Sequence, residues 1–375
     1  MKERNEHLLY IVLASVAIKV ASLAFIYAFV GTDLLTQLST KWDSVYYLGI
    51  AQSGYPPGMV NANYAFAPLY PAFIRLTAAV AGNYLVSAVV VSNVFSVLVP
   101  FAFYFVARLY FSPTNSLYAS LAFSFFPTFV TYGLVAYSEP VYIFFAVLAV
   151  YFFLKGRHIL VGIASSLAVL GSYVNLLVPM FLLGIAVLRW VVPRLQKPRT
   201  QAEASGTATM GRKRFPELAY AWLFLPFLAF GLWMYVLDLQ SGQLFSIIAA
   251  QAPWGTHLEN PIAQFEAFFT GIFSTQGNPV EQLVMRYLYT LTFFALAYFL
   301  WKTDRWLALY SSGFMVFILS LVGTAYMSGP RLMLSAWPLI LVFGTAKKNL
   351  LVPVLVLLAL VSLQSTYAQL TTFWT

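Results

Sequence analysis

From Leu8 to Val30 the chain runs with a single charged side chain, Lys19. A stretch this long and this apolar matches the roughly 20 residues an α-helix needs to cross the hydrocarbon core of a bilayer. Comparable stretches recur to the end of the sequence. Candidate spans are 8–30, 84–107, 117–134, 140–154, 158–174, 176–192, 218–237, 286–301, 306–325, 331–345 and 350–366, eleven in all. Lipid offers no partner to a bare backbone N–H or C=O, so such a chain is expected to be all-α, a polytopic membrane protein of about eleven transmembrane helices. Charged residues make up 9% of the 375, against roughly 25% in soluble domains. No separate soluble domain is expected, and residues 1–375 are read as one transmembrane domain.

The net charge of +9 would suit nucleic acid only if it lay on one surface. Here Lys and Arg fall in short clusters between apolar runs, so nucleic acid is not an expected partner. With a cytoplasmic N-terminus, sixteen of the 21 basic residues lie in inner loops, the bias that orients membrane proteins. The apolar run after MKERNEH is too long for a signal-peptide core and is read as a retained first span in the cell membrane. Segment 66–82 is short for a crossing and contains Arg75, so it is expected to be interfacial or re-entrant. Segment 158–192 is expected to be a hairpin broken near Gly171, Asn175 and Pro179. Two outer loops, 31–83 and 238–285, are long enough to build a site. The inner loop 193–216 reads as a solvated linker. There are no cysteines, which excludes disulfides, thiolate metal sites and cysteine nucleophiles.

The acidic residues separate by side: Asp33, Asp43, Glu139, Asp238, Glu259, Glu266 and Glu281 outside, Glu3, Glu6, Glu203, Glu217 and Asp304 inside. Chemistry that needs a carboxylate is therefore expected on the extracytoplasmic face. The stretch KWDSVYYLGIAQSGYPPGMVNANYAFAPLYP, residues 41–71, follows the first span and holds Asp43. As a helix, 42–52 would place Trp42, Val45, Tyr46, Gly49 and Ile50 on one side, an amphipathic segment lying on the membrane surface. Gly54, Pro56, Pro57 and Gly58 would then stop it. For Asp43 alone, an N-cap beside an interfacial tryptophan is the plain structural alternative.

This stretch resembles the PIG-V family of mannosyltransferases, within the GT-C class of polytopic glycosyltransferases. Its WD…Y…IA…GY segment is matched by Trp42, Asp43, Tyr47, Ile50, Ala51, Gly54 and Tyr55, and its AF.PLYP-like segment by Ala65, Phe66, Pro68, Leu69, Tyr70 and Pro71. Further similarity lies in the Ser138–Glu139 pair of AYSEP, in Gln251, Trp254 and Gly255 of the loop IIAAQAPWGTHLENP, and in Arg331 of YMSGPRLMLSAWP. The resemblance implies a GT-C-like fold with an outer-face active-site loop containing interfacial helices. It implies transfer of a sugar, mannose by likeness, from a dolichyl or other polyprenyl phosphate to a lipid or glycan acceptor, with Asp43 as base and Glu139 as second carboxylate.

An inverting transfer of this kind needs one base for the acceptor hydroxyl and cationic or hydrogen-bonding help for the departing phosphate. Trp42, Tyr47, Tyr70, Ser138, Gln251, Trp254, His257 and Arg331 are the substrate-binding candidates. Gln251 and Trp254 suit a sugar ring, and the forked donors of Arg331 suit a lipid phosphate. Arg75 and Arg286 are the fallback cations. His257 has no second histidine or cysteine near it, so neither a metal nor another cofactor is expected. Membrane lipids are the other partner, and there is room for a small membrane subunit. One departure stands out: where the family usually carries an Arg-containing motif, Gly171–Pro179 reads GSYVNLLVP. On the resemblance this implies a prokaryotic, archaeal branch with its own acceptor. The competing reading is a lipid-linked sugar flippase or transporter, which would place charges or broken helices inside the bundle. Lys19, whose partner the sequence does not reveal, is the one charge well inside a span.

Overall fold

The computed structural model describes residues 2–30, 33–191, 218–260, 262–263, 266, 289–322 and 328–371. The linker 193–216, Glu281 and Arg286 lie outside them. Among the described residues the regular structure is helical apart from a two-residue antiparallel pair, His257–Leu258 with Leu321–Val322. Helices α1 (Lys2–Val30), α2 (Leu34–Thr40), α3 (Ser44–Ser53), α4 (Leu69–Ala81), α5 (Tyr84–Ala107), α6 (Pro113–Ser124), α7 (Pro127–Leu134), α8 (Glu139–Leu154), α9 (His158–Gly171) and α10 (Leu177–Val191) form the first half. Helices α11 (Leu225–Ser241), α12 (Tyr289–Thr303), α13 (Arg305–Leu319) and α14 (Lys348–Thr371) follow.

Four helical segments among the described residues, Glu3–Ala28, Tyr84–Ala107, Tyr220–Ser241 and Lys348–Ala368, are long and apolar enough to cross a membrane. The pair α6–α7, bent by 58°, makes a fifth if it is one span. The remaining apolar helices are shorter than the eleven-span expectation requires. The bend has a local cause: Pro127 opens α7 without an N–H to give, so the helix restarts there. The Phe125 carbonyl freed at the break accepts a hydrogen bond from Ser362 Oγ of α14 at 2.7 Å, as a backbone group away from water requires.

Several expectations change in detail. Segment 66–82 contains the helix α4, whose 13 residues span about 20 Å, short of the bilayer core. It buries Tyr70, Ile74 and Ala78 and leaves Val80 exposed. Segment 158–192 breaks after Gly171 and continues through a 3₁₀ turn, Tyr173–Leu176, into α10. Span 306–325 ends as a helix at Leu319. Segment 331–345 is a short turn, Gly329–Leu332, followed by a 3₁₀ stretch, Met333–Thr345, interrupted at Ala336. Pro338 lies inside that stretch, and a proline there removes a donor and crowds the carbonyl four residues back. Its residues from Met333 to Leu341 are buried, so their apolar character serves the protein core.

That core gathers α5, α6, α8, α9, α10, α13 and the 333–345 stretch around Phe103, Phe123, Phe314 and Trp337. Close approach is set in places by glycine: a Cβ on Gly162 of α9 would stand 2.5 Å from the Trp222 carbonyl oxygen. A second cluster, Tyr47, Leu48, Ala51, Tyr70, Ile74, Ala88, Val91, Ala136 and Val141, seats α3 and α4 against α5 and the start of α8.

Candidate active site

The chain enters α3 through a turn at Lys41–Asp43 in which Trp42 has φ 49°. For a bulky side chain this backbone costs about 1–3 kcal/mol and needs support from its surroundings. The support is aromatic: the Trp42 ring lies edge-on to Tyr137 at 6.0 Å and tilted against Tyr132 at 6.2 Å. At the far end, Gly54 caps α3 with φ 78°, and Arg75 Nε donates to the Ala51 carbonyl at 2.6 Å.

The helix presents a different face from the one its apolar spacing suggests. Ser44, Tyr47, Leu48, Ile50 and Ala51 are buried, while Val45 is exposed. Tyr47 fixes the rotation, because a buried phenol needs a partner, and its hydroxyl lies 2.8 Å from Ser138 Oγ. Burial, followed by the charges of Glu139 and Asp43, pushes the Tyr47 phenol well up, so it stays protonated.

Asp43 occupies the N-cap position of α3, yet its side chain caps nothing. It pairs instead with Arg331 Nη1, from a residue 288 positions away. The Arg331 Nε lies 3.1 Å from Glu139 Oε1. Three segments thus converge: the turn between α2 and α3, the first residue of α8, and the turn before the 333–345 stretch. The carboxylates differ in access, since the Asp43 side chain is 20% exposed and that of Glu139 3%. The guanidinium lies 5.2 Å from the Tyr137 ring centroid and 5.9 Å from that of Tyr132, within cation–π range.

Other acids are engaged locally. Asp238 accepts from the backbone N–H groups of Phe245 and Ser246. Asp304 caps α13 through Trp306 and Leu307 and accepts from the Tyr110 hydroxyl. Glu259 contacts His257.

Tyr137 and Ser92 are functional neighbours that sequence reasoning missed. The Tyr137 hydroxyl accepts from the Asp43 backbone N–H at 3.0 Å. Its own backbone is gripped by Ser92 of α5, whose Oγ donates to the Tyr137 carbonyl at 2.7 Å and accepts from its N–H at 3.0 Å. Tyr137 adjoins the Ser138–Glu139 pair, which was a usable signal. Ser92 carries none. The Ser92→Ala variant is expected to lose about 1–3 kcal/mol, because it removes the donor to the buried Tyr137 carbonyl. Thermal unfolding in detergent measures it, and an unchanged midpoint contradicts the grip described here.

Of the remaining candidates, Tyr47, Tyr70 and Ser138 belong to the scaffold. The Tyr70 hydroxyl, fully buried, lies 2.9 Å from the Ala88 carbonyl and 2.8 Å from Ser92 Oγ. Their hydroxyls serve internal partners. Trp254 comes to the outer side of α3, edge-on to Tyr46 at 5.7 Å and to Phe66 at 5.8 Å, with Tyr46 and Phe66 stacked at 4.8 Å. Gln251 precedes it, half-buried. Phe66 is held from below, its carbonyl accepting from the hydroxyls of Tyr55 and Tyr173. Tyr173 belongs to the segment that lacks the family's arginine. His257 stands apart: it is exposed, with ring nitrogens 2.8 Å from the Gly255 carbonyl and 3.1 Å from Glu259 Oε1.

Residues 11–237, more than half of the chain, match a family described as mannosyltransferase (PIG-V). No curated protein matches the chain. Among solved structures, the Archaeoglobus fulgidus oligosaccharyltransferase, solved with Zn and sulfate, aligns at 14% identity and a TM-score of 0.41, over 95% of this chain and 49% of that one. The present chain therefore spans about half the length of that protein.

Proposed function

Since the chain belongs to the mannosyltransferase (PIG-V) family, and is thus a membrane glycosyltransferase, we propose that it moves a sugar, mannose by family, from a polyprenyl phosphate to a lipid or glycan acceptor. The observation that carries this reading is the meeting of Asp43, Glu139 and Arg331 from three distant segments. Asp43, the more accessible carboxylate, takes the acceptor proton as the hydroxyl attacks the anomeric carbon. The C–O bond to phosphate breaks on the opposite face, and the anomeric configuration inverts. Phosphate leaves carrying its charge and needs a cation in preference to an acid.

Arg331 supplies that cation. A guanidinium has five N–H groups, and the contacts with Asp43 and Glu139 involve only Nη1 and Nε. A donor phosphate drawing on Arg331 loosens its hold on Asp43 and frees that carboxylate for the proton. Glu139, buried, keeps the guanidinium in place while this happens. Trp254, with Tyr46 and Phe66 beside it, offers a ring face to the sugar. Gln251 and His257 are the outer polar groups of the same loop.

The proposed topology is GT-C-like, with a cytoplasmic N-terminus and the site on the extracytoplasmic face. In its support, Asp43, Glu139 and Arg331 each follow an odd number of candidate spans. The Tyr110–Asp304 hydrogen bond, 2.8 Å long, joins two loops that each follow an even number. The flippase reading would draw on the bent α6–α7 pair and on Lys19, but family membership places the chain with enzymes.

Purified protein in lipid, given a membrane lipid extract, is expected to move label from polyprenyl-phosphate mannose to a new product and to leave label on GDP-mannose. Transfer from the nucleotide sugar alone contradicts the proposed donor.

A further inference from the structure

Lys19 lies inside α1 and is buried, a place where an ammonium is costly unless something holds it. Its Nζ donates to the Gly133 carbonyl at 2.9 Å and to Asn93 Oδ1 at 3.1 Å. Gly133 stands one residue from the end of α7, so its carbonyl is among those that a helix leaves without an internal partner. Asn93 turns its amide nitrogen to the Leu134 carbonyl at 3.2 Å. An amine on α1 and an amide on α5 thus cap α7 together. Space is tight here: a Cβ on Gly133 would lie 2.9 Å from Ser96 Cβ and 3.1 Å from Lys19 Nζ.

The end of α7 leads directly into the segment that builds the site. Ala136 N–H donates to the Leu38 carbonyl of α2 at 2.8 Å. Tyr137 then meets Asp43 and Arg331, and Glu139 opens α8. Where α7 stops therefore decides where Tyr137 and Glu139 stand. We infer that Lys19 is a positioning residue: it fixes the end of the bent α6–α7 pair and, through the 135–138 segment, the geometry of Asp43, Arg331 and Glu139. This rests on the reading of that cluster as the transfer site.

The chain has no cysteine, so an engineered pair, Leu38→Cys with Ala136→Cys, reports docking of the segment without background. Copper-phenanthroline crosslinking is compared in the Lys19, Lys19→Met and Lys19→Gln backgrounds, in protein shown by gel filtration to be monodisperse, alongside kcat and KM for polyprenyl-phosphate mannose in the cysteine-free forms. Lys19→Met is expected to slow crosslinking. It is also expected to lower kcat by about 10²-fold, the order of loss that a misplacement of ~1 Å produces, with KM for the donor nearly unchanged. Lys19→Gln, which keeps a donor for Gly133, recovers part of both and serves alone if Lys19→Met does not fold. Crosslinking and kcat indifferent to Lys19 in an active protein overturn the inference and leave the transfer reading intact. Crosslinking that depends on Lys19 in a protein that transfers no sugar supports the positioning role and overturns the transfer reading.

Discussion

Asp43→Asn is expected to reduce sugar transfer by about 10²–10⁴-fold, the range that general bases contribute, while the helical content and oligomeric behaviour of the protein stay as they are. The reasoning is geometric. Asparagine keeps the size of the side chain and can still accept from Arg331, but it cannot take a proton at neutral pH. The Arg331 charge is not orphaned, because Glu139 Oε1 remains 3.1 Å from its Nε. The backbone N–H that Asp43 gives to Tyr137 is unaffected. The comparison is of kcat in lipid, with circular dichroism beside it. An Asp43→Asn protein that transfers at the wild-type rate removes Asp43 from the chemistry.

The largest loss of stability is expected at Arg331. Replacing it by Met leaves Asp43 and Glu139 facing each other with no cation between them, and Glu139 is nearly sealed from solvent. Removing one member of a buried ionic group costs about 3–5 kcal/mol. The charge count makes a second test. Counted with both carboxylates ionised, wild type holds two acids and one base in the cluster, a net −1; on the same count Arg331→Met makes it −2, and Arg331→Met with Glu139→Gln restores −1. The double variant is therefore expected to regain much of the lost stability, with a coupling energy of about 0.5–3 kcal/mol between the two positions. It is not expected to regain activity, since the phosphate still lacks its cation. Two penalties that simply add mean that Arg331 and Glu139 do not act on each other as the geometry has them.

How far the sequence foretold this arrangement depends on the range of the signal. Helix α5 begins and ends where its apolar run does, because local chemistry marks its start: the Asn83 side chain accepts from the Val86 N–H at 3.1 Å. The Gly54 stop of α3 is equally local. By contrast, the 333–345 stretch and a lipid-facing span share the same apolar composition, and only packing against Phe103 and its neighbours tells them apart. The rotation of α3 was hidden for a related reason. Aromatic and aliphatic residues lie all round 42–51, so periodicity alone did not decide which face turns inward.

The same division runs through the site. Asp43 and Glu139 were legible as residues, through the WD segment after the first span and the Ser138–Glu139 pair that resemble the family. Their joint partner was not, because nothing in the sequence ties Arg331 to a residue 288 positions earlier. Arg331 was read as a phosphate ligand only, and its bridging of two carboxylates came from the fold. Lys19 was visible as an anomaly, but its purpose became clear only once Gly133 and Asn93 lay beside it.

The central claim is that Asp43 removes the acceptor proton at a site that has already bound a polyprenyl-phosphate sugar. Single-turnover transfer tests it most directly. Wild type and Asp43→Asn are loaded with radiolabelled polyprenyl-phosphate mannose to equal, measured occupancy and mixed with acceptor lipid extract. The account predicts a burst of labelled product from wild type and none from Asp43→Asn at the same donor occupancy. Equal bursts from the two proteins would contradict it.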